Sequence, residues 1–195
     1  MDTFDAFCTQ ITRIVSDDDE QEIPSRVRRE LRRLITVDDW LRDPWAEERA
    51  DRFQQHLLYR DCHGRFSVVS FVWGPRQHTP IHDHGVWGVV GVLRGAEWSQ
   101  RYIIDDWNRP VIREPRSRLN VGDTELLLPE HGDIHQVANA LDDSASISIH
   151  VYGADIGTCR RRIFEPEGRV VPFVSGYSDV SPMLTHISSL ERPPQ

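Results

Sequence analysis

Apolar residues at Phe4, Phe7, Cys8, Ile11, Ile14 and Val15 recur at three- and four-residue intervals, which predicts an amphipathic helix at the start of the chain. It ends near Asp17-Asp18-Asp19-Glu20, an acidic run read as a loop. A second helix is predicted after Pro24-Ser25. There Val27, Leu31, Leu34 and Ile35 form an apolar stripe, and the arginines between 26 and 33 fall on the opposite, wet face. A short third helix is expected over Pro44–Phe53, because Ala46, Ala50 and Phe53 share one face. Residues 1–55 therefore read as helical.

From His56 the texture changes to short β-branched and aromatic runs broken by Gly, Pro, Asp and Asn, the pattern of an all-β sandwich or barrel. Strands are predicted over Ser67–Trp73, Trp87–Leu93, Glu97–Ile104, Thr124–Leu128, Gln136–Asn139 and Ser146–Tyr152. Turn signals separate them at Gly74-Pro75, Arg94-Gly95, Trp107–Pro110, Asn120–Asp123, His131–Asp133 and Gly153. After Pro172 the pattern is less regular, and Arg192-Pro193-Pro194-Gln195 is expected to fray.

Charge and composition narrow the function classes. The 195 residues carry 23 Lys and Arg against 31 Asp and Glu, a formal net charge of −8. Binding to phosphate backbones needs a basic face, so nucleic acid is not an expected partner. Cys8, Cys62 and Cys159 are odd in number and lack metal-finger spacing, which argues against a disulfide framework or a zinc finger. No stretch approaches the roughly 18 apolar residues of a membrane span. Met1-Asp-Thr-Phe-Asp lacks the basic and apolar regions of an export signal. The expectation is a soluble, cytoplasmic protein with no membrane partner.

Nine histidines are present, and three sit where a metal could be assembled. In an extended segment residues i and i+2 face the same way, so His82 and His84 can reach one ion while Asp83 points away. The pair alone fits two surface histidines in a polar loop equally well. Its context adds weight: Gly74 and Pro80 precede it and an apolar strand follows. Then come Gly95, Gly122, Pro129, Gly132, His135 and Asn139, in that order.

That order resembles the two motifs of the cupin superfamily, Gly-spacer-His-x-His-spacer-Glu-spacer-Gly and Gly-spacer-Pro-spacer-Gly-x-x-His-x-x-x-Asn. The resemblance implies a mainly β fold, the double-stranded β-helix or jelly-roll barrel, with N-terminal α-helices. Residues 1–195 would form a single cupin domain: a helical appendage over 1–55, a β-barrel over 56–180 and a tail over 181–195. It also implies that His82, His84 and His135 converge as metal ligands inside the barrel. Where most cupins place a metal-binding Glu, this chain has Gly88. Three imidazoles without a carboxylate leave a divalent ion its full charge, which suits an anionic ligand that brings its own. Imidazole serves Fe, Zn, Cu and Ni alike, so ligand chemistry leaves the metal open.

The missing Glu, together with Ser148-Ile-His150-Val-Tyr152, resembles the cysteine dioxygenase family of thiol dioxygenases. The likeness runs from about Leu57 to Tyr177 and is densest in Phe71–Pro75, Thr79–His84, Val86–Gly88, Leu93–Glu97 and Ser146–Gly153. It implies Fe(II) on three histidines and conversion of a small thiol, with O2, to a sulfinate. Ser148, His150 and Tyr152 share one face of a strand. They can form a relay that fixes the imidazole tautomer and aims the phenol at the metal, or they can line the solvent face of an antiparallel strand.

Mammalian-type members carry a Cys at the position of Gly88 and crosslink it to the relay tyrosine, so Tyr152 is expected to be free of that bond. The Trp87-Gly88 pair is closer to the bacterial branch similar to 3-mercaptopropionate dioxygenase, in which an arginine after the relay meets the substrate carboxylate. Arg161 is the best match, with Arg160 and Arg162 facing the other way if the segment is a strand. Arg60 is the rival, on the pattern of the mammalian-type arginine, and Tyr59 competes for the same position. The implied function is iron-dependent oxidation of a small mercapto-carboxylate, 3-mercaptopropionate ahead of cysteine. The alternative is a cupin that binds a metal or ligand without turnover, as a sensor or store. The N-terminal helices suit a monomer or a homodimer.

Overall fold

The computed structural model describes residues 3–178 and 181–183. Helices α1 (Thr3–Asp17) and α2 (Ile23–Leu34) come first. The strands that follow are β1 (Gln54–Arg60), β2 (Ser67–Trp73), β3 (Gly88–Arg94), β4 (Ala96–Ile104), β5 (Pro110–Ile112) and β6 (Ser117–Asn120). After them come β7 (Thr124–Leu127), β8 (His135–Asn139), β9 (Ser146–Tyr152), β10 (Arg161–Phe164) and β11 (Val170–Phe173).

All strand pairs are antiparallel and fall into two layers. The first is ordered β1-β2-β9-β3-β7. The second is built on β4, which pairs with β5 and β6 along one edge and with β8 along the other. Backbone bridges from His82 to His135 and to Ile163 carry this layer onward to the β10-β11 ribbon.

Strand β9 shows how the sequence builds the barrel. Its side chains are buried on both faces. Ile147, Ile149 and Val151 face outward into a core shared with Phe4, Ile11, Val27 and Leu31 of the two helices, while Tyr152 belongs to a second core inside the barrel with Val69, Phe71, Trp73 and Val90. Alternation along the strand therefore serves two cores, not one core and solvent. On β3 a glycine suits the close approach of α2, since a Cβ at Gly91 would lie 2.9 Å from Ile35 Cδ1 and 3.1 Å from Leu31 Cγ, and those side chains would have to shift.

Three differences from the sequence expectation stand out. Residues 44–53 form turns and extended chain, not a third helix. The carbonyls of Trp45 and Arg49 accept hydrogen bonds from Ser70 (2.9 Å) and Gln77 (2.6 Å), so this backbone is a strap tied to the barrel. The first strand begins at Gln54 and its opening residues are polar, which hid it from a hydrophobicity pattern. Strands β5, β6, β10 and β11 are three or four residues long, too short for a periodicity to register. The expectation for Arg192–Gln195 lies outside the described residues. Among the described residues, no helix is long and apolar enough to cross a membrane.

Candidate metal centre

His82 and His135 occupy facing positions of a narrow backbone bridge, each N–H donating to the other's carbonyl at 3.0 Å. His84 lies two residues beyond His82, on the same face. One ligand atom from each of the three lies within 4.8 Å of the others, and the ring centroids are 4.8 to 5.0 Å apart. All three are buried. Burial and the neighbouring imidazoles push His82 and His135 well below the ordinary histidine range, so both are neutral, with a lone pair to offer.

The surroundings orient the rings. His82 Nδ1 lies 3.0 Å from the Pro80 carbonyl and His84 Nδ1 lies 3.3 Å from the Asp133 carbonyl, which directs their Nε2 atoms to the common centre. Asp133 also accepts the backbone N–H groups of His84 (2.8 Å) and Gly85 (3.1 Å). Burial works against its charge, but hydrogen bonds from His84 and Gly85 prevail and hold its carboxyl at about 2. His84 Nε2 is buried without any hydrogen-bond partner, as is His135 Nδ1, whose nearest acid, Glu125, is 3.9 Å away. Three buried imidazoles, with an unpartnered nitrogen among them, fit a divalent transition metal.

Tyr152 stacks on His84 with ring centroids 5.4 Å apart and planes 19° from parallel. Its hydroxyl lies 2.8 Å from His150 Nδ1, and His150 Nε2 lies 2.8 Å from Ser148 Oγ, which accepts the Trp73 indole N–H at 3.2 Å. Phe71 packs on the His150 ring, with centroids 4.3 Å apart. Ser148, His150 and Tyr152 thus turn into the barrel, and none lines a solvent face. Burial pushes Tyr152 well above the ordinary phenol range and His150 well below the ordinary imidazole range, so both are neutral. Gly88 is the direct cross-strand partner of Tyr152, and a Cβ there would lie 3.0 Å from two carbons of its ring. The phenol occupies the space that a larger side chain at position 88 would need.

The two arginine candidates part company. Arg161 is 4% exposed, its guanidinium lies over Phe173 (4.6 Å), and it donates to Ser175 Oγ at 2.6 Å. Its Nε has no partner, and among the described residues no carboxylate pairs with it. The Phe173 ring also approaches His82, with centroids 6.4 Å apart, so one residue touches both arginine and cluster. Arg160 and Arg162 are exposed, and Arg162 is held by Asp83 at 2.6 Å.

Arg60, at the last position of β1, has a side chain 53% exposed and is held by Asp155 at 2.9 Å, away from the histidines. An irregularity in β1 between Leu57 and Tyr59 turns Tyr59 into the helix-side core, so neither residue joins the cluster. A cleft of about 520 Å³ lined by Phe53, Gln55, Ile163, Phe173, Ser175 and Tyr177 opens beside Arg161.

Two residues of the site had no role assigned from sequence. Asp133, two positions before His135, carries a recoverable signal, since extended chain gives both the same face. Glu97 had none, because a charged residue in an amphipathic strand is ordinarily placed in solvent.

No protein-family model matches the chain. Among solved structures, an uncharacterized conserved protein with a double-stranded beta-helix domain from Klebsiella pneumoniae subsp. pneumoniae is similar, with a TM-score of 0.50 and 15% identity over 66% of this chain and 99% of its own. A cupin 2 conserved barrel domain protein from Rhodopseudomonas palustris has a TM-score of 0.43 and 16% identity over 60% of this chain and 72% of its own. A cupin-like protein from Thermotoga maritima has a TM-score of 0.43 and 19% identity over 60% of this chain and 80% of its own. The fold is mainly β, a double-stranded β-helix, with two N-terminal helices among the described residues. Its interior carries a three-histidine cluster able to hold a metal ion.

Proposed function

We propose that this protein is an Fe(II)-dependent thiol dioxygenase acting on a small mercapto-carboxylate, with 3-mercaptopropionate favoured over cysteine. The observation that carries the reading is the phenol of Tyr152, stacked on His84 and wired through His150 to Ser148, beside a histidine cluster that includes no carboxylate among the described residues. Such a strand has no evident purpose in a merely structural metal site. An iron ion on His82, His84 and His135 would supply affinity for a thiolate sulfur and reactivity toward O2, the net change being addition of both oxygen atoms to sulfur.

The chain's own residues do the rest. Arg161, buried and without an acidic partner, offers a planar fork to the substrate carboxylate and so sets the distance from carboxylate to sulfur. The neutral Tyr152 hydroxyl provides a hydrogen bond at the cluster, oriented by His150. Phe71, Val90 and Leu127 keep the interior apolar around the reacting group. The nearby acids are engaged: Asp83 by Arg162, and Asp133 by the backbone of His84 and Gly85. Glu125, 3.9 Å from His135, is likewise held by Arg101 and Ser99, and the buried Glu97 lies against Ser146, Ser148 and the Trp73 indole, so a substrate amino group would meet no free carboxylate at the histidines among the described residues, which favours 3-mercaptopropionate over cysteine.

The test is anaerobic loading with Fe(II), then oxygen uptake and sulfinate detection with 3-mercaptopropionate, cysteine, mercaptosuccinate and cysteamine. Uptake with the carboxylate thiols and little with cysteamine is expected. Metal retention with no oxygen uptake for any thiol would refute the enzyme and leave a binding cupin.

A further inference from the structure

Strand β4 sends one carboxylic acid into the barrel opposite the Ser148-His150-Tyr152 chain. Glu97 is 0% exposed, and neither of its oxygens has a hydrogen-bond partner of ordinary geometry. Ser148 and Ser146 of β9 and the Trp73 indole of β2 lie against it, and the Ser146 hydroxyl is itself buried without a partner. The titratable groups facing it are Glu125 from β7 and Tyr152 from β9, while β8 contributes Asn139 beside it. Among the described residues no cation pairs with it. An ionised carboxylate in that setting would cost several kcal/mol, so the group is held as the neutral acid. Burial pushes it up to about 8, against the pull of the two serines and the indole, and Glu125 adds to the rise.

Its protonation has a consequence two residues away. Ser148 Oγ accepts from Trp73 and has a single proton of its own to give, either to His150 Nε2 or to Glu97. If Glu97 were ionised it would claim that proton. His150 would then carry its hydrogen on Nε2, Nδ1 would accept from Tyr152, and the phenol proton would point away from the metal cluster. With Glu97 neutral, its own proton faces the serines and the Ser148 proton goes to His150 Nε2. His150 then donates from Nδ1 to Tyr152 Oη, and the phenol proton is free to point at the cluster.

We propose that Glu97 is a positioning residue which, as a neutral acid, sets the direction of the Ser148-His150-Tyr152 hydrogen-bond chain and so aims the Tyr152 proton into the site. The inference rests on that chain being the relay of the proposed enzyme, but the tautomer of His150 is measurable with or without turnover.

The experiment is nitrogen NMR of the histidine-labelled full chain loaded with diamagnetic Zn(II), with His150 assigned by loss of its signal in His150→Gln. Spectra are taken at about pH 6 and about pH 10, on either side of the Glu97 titration. The wild type should hold the Nδ1–H tautomer at the lower pH and shift to Nε2–H at the higher, while Glu97→Gln should hold Nδ1–H at both. The infrared band of a buried protonated carboxyl should be present in the wild type at the lower pH and lost in Glu97→Gln.

A wild-type tautomer that does not change, or a change that persists in Glu97→Gln, would overturn the proposal. If Glu97→Gln does not fold, Ser148→Ala decides: with the connecting hydroxyl removed, a His150 tautomer that still follows pH overturns it. Failure of every thiol to consume oxygen would remove the enzyme reading and leave this measurement standing. A pH-invariant tautomer would remove the role of Glu97 and leave the oxygen assay standing.

Discussion

Glu97 makes the stability of the whole domain depend on pH in an unusual direction. Most buried carboxylates in folded proteins are paired, and they add stability as pH rises. Here the carboxyl is raised to about 8 in the fold, against 4.5 for an ordinary glutamate. The folded chain therefore binds a proton that the unfolded chain releases. The stability linked to this group is complete below about pH 4.5 and drains away as pH climbs through about 8.

At about 1.4 kcal/mol per pH unit of separation, the loss between pH 5 and pH 9 is about 4 kcal/mol, a large part of the stability of an ordinary domain. Glu97→Gln keeps the size and the donor but cannot ionise. The assay is urea unfolding followed by tryptophan fluorescence across that range, read as the difference between wild type and Glu97→Gln so that other titrations cancel. The gap should widen from about pH 5 to about pH 8 in favour of the variant and then level off. Parallel curves over the whole range would refute the assignment of Glu97 as a buried neutral acid.

Three further outcomes are expected. His135→Ala should lose retained metal, measured by elemental analysis of the purified chain, while α1 and α2 keep their circular dichroism. Arg161→Gln should raise KM for 3-mercaptopropionate about 10- to 100-fold, the worth of a charge-assisted pair, and leave oxygen uptake with cysteamine unchanged; Arg60→Gln should change either by less than about threefold, because an exposed ion pair contributes little. Gly88→Ala places a methyl 3.0 Å from the Tyr152 ring, so the phenol must shift, and turnover should fall with metal content intact.

The outer layer was the legible part of the chain. The stripe of α2 and the strands Ser67–Trp73 and Ser146–Tyr152 follow from apolar spacing, because the outward faces of those strands meet the helix at one hydrophobic core. The histidines were legible by the order of glycine, proline and histidine around them. The barrel interior resisted reading because buried polar side chains share it with apolar ones. On β4 the buried face carries Glu97 and Ser99 while Trp98 turns outward under Arg116, the reverse of what an apolar-inside rule assigns. Arg60 and Arg161 could not be separated in sequence, since rim and interior positions at strand ends differ only in what the facing loop supplies. Asp155 supplies it for Arg60, and Phe173 with Ser175 for Arg161.

Strand β9 is paired to β2 along its whole length and to β3 over Ile147–Tyr152. Its amides should exchange with solvent only when the entire domain opens, so Ser148, His150 and Tyr152 keep their alignment for as long as the protein is folded at all. Arg161 belongs instead to the short β10-β11 ribbon, a separate two-stranded sheet that should open at lower free-energy cost. If the proposed function holds, the group that would grip a substrate's tail and the groups that would address its sulfur sit in units of unequal local stability. Drift in the ribbon's sequence could retune which chain length is accepted without loosening the machinery beneath it.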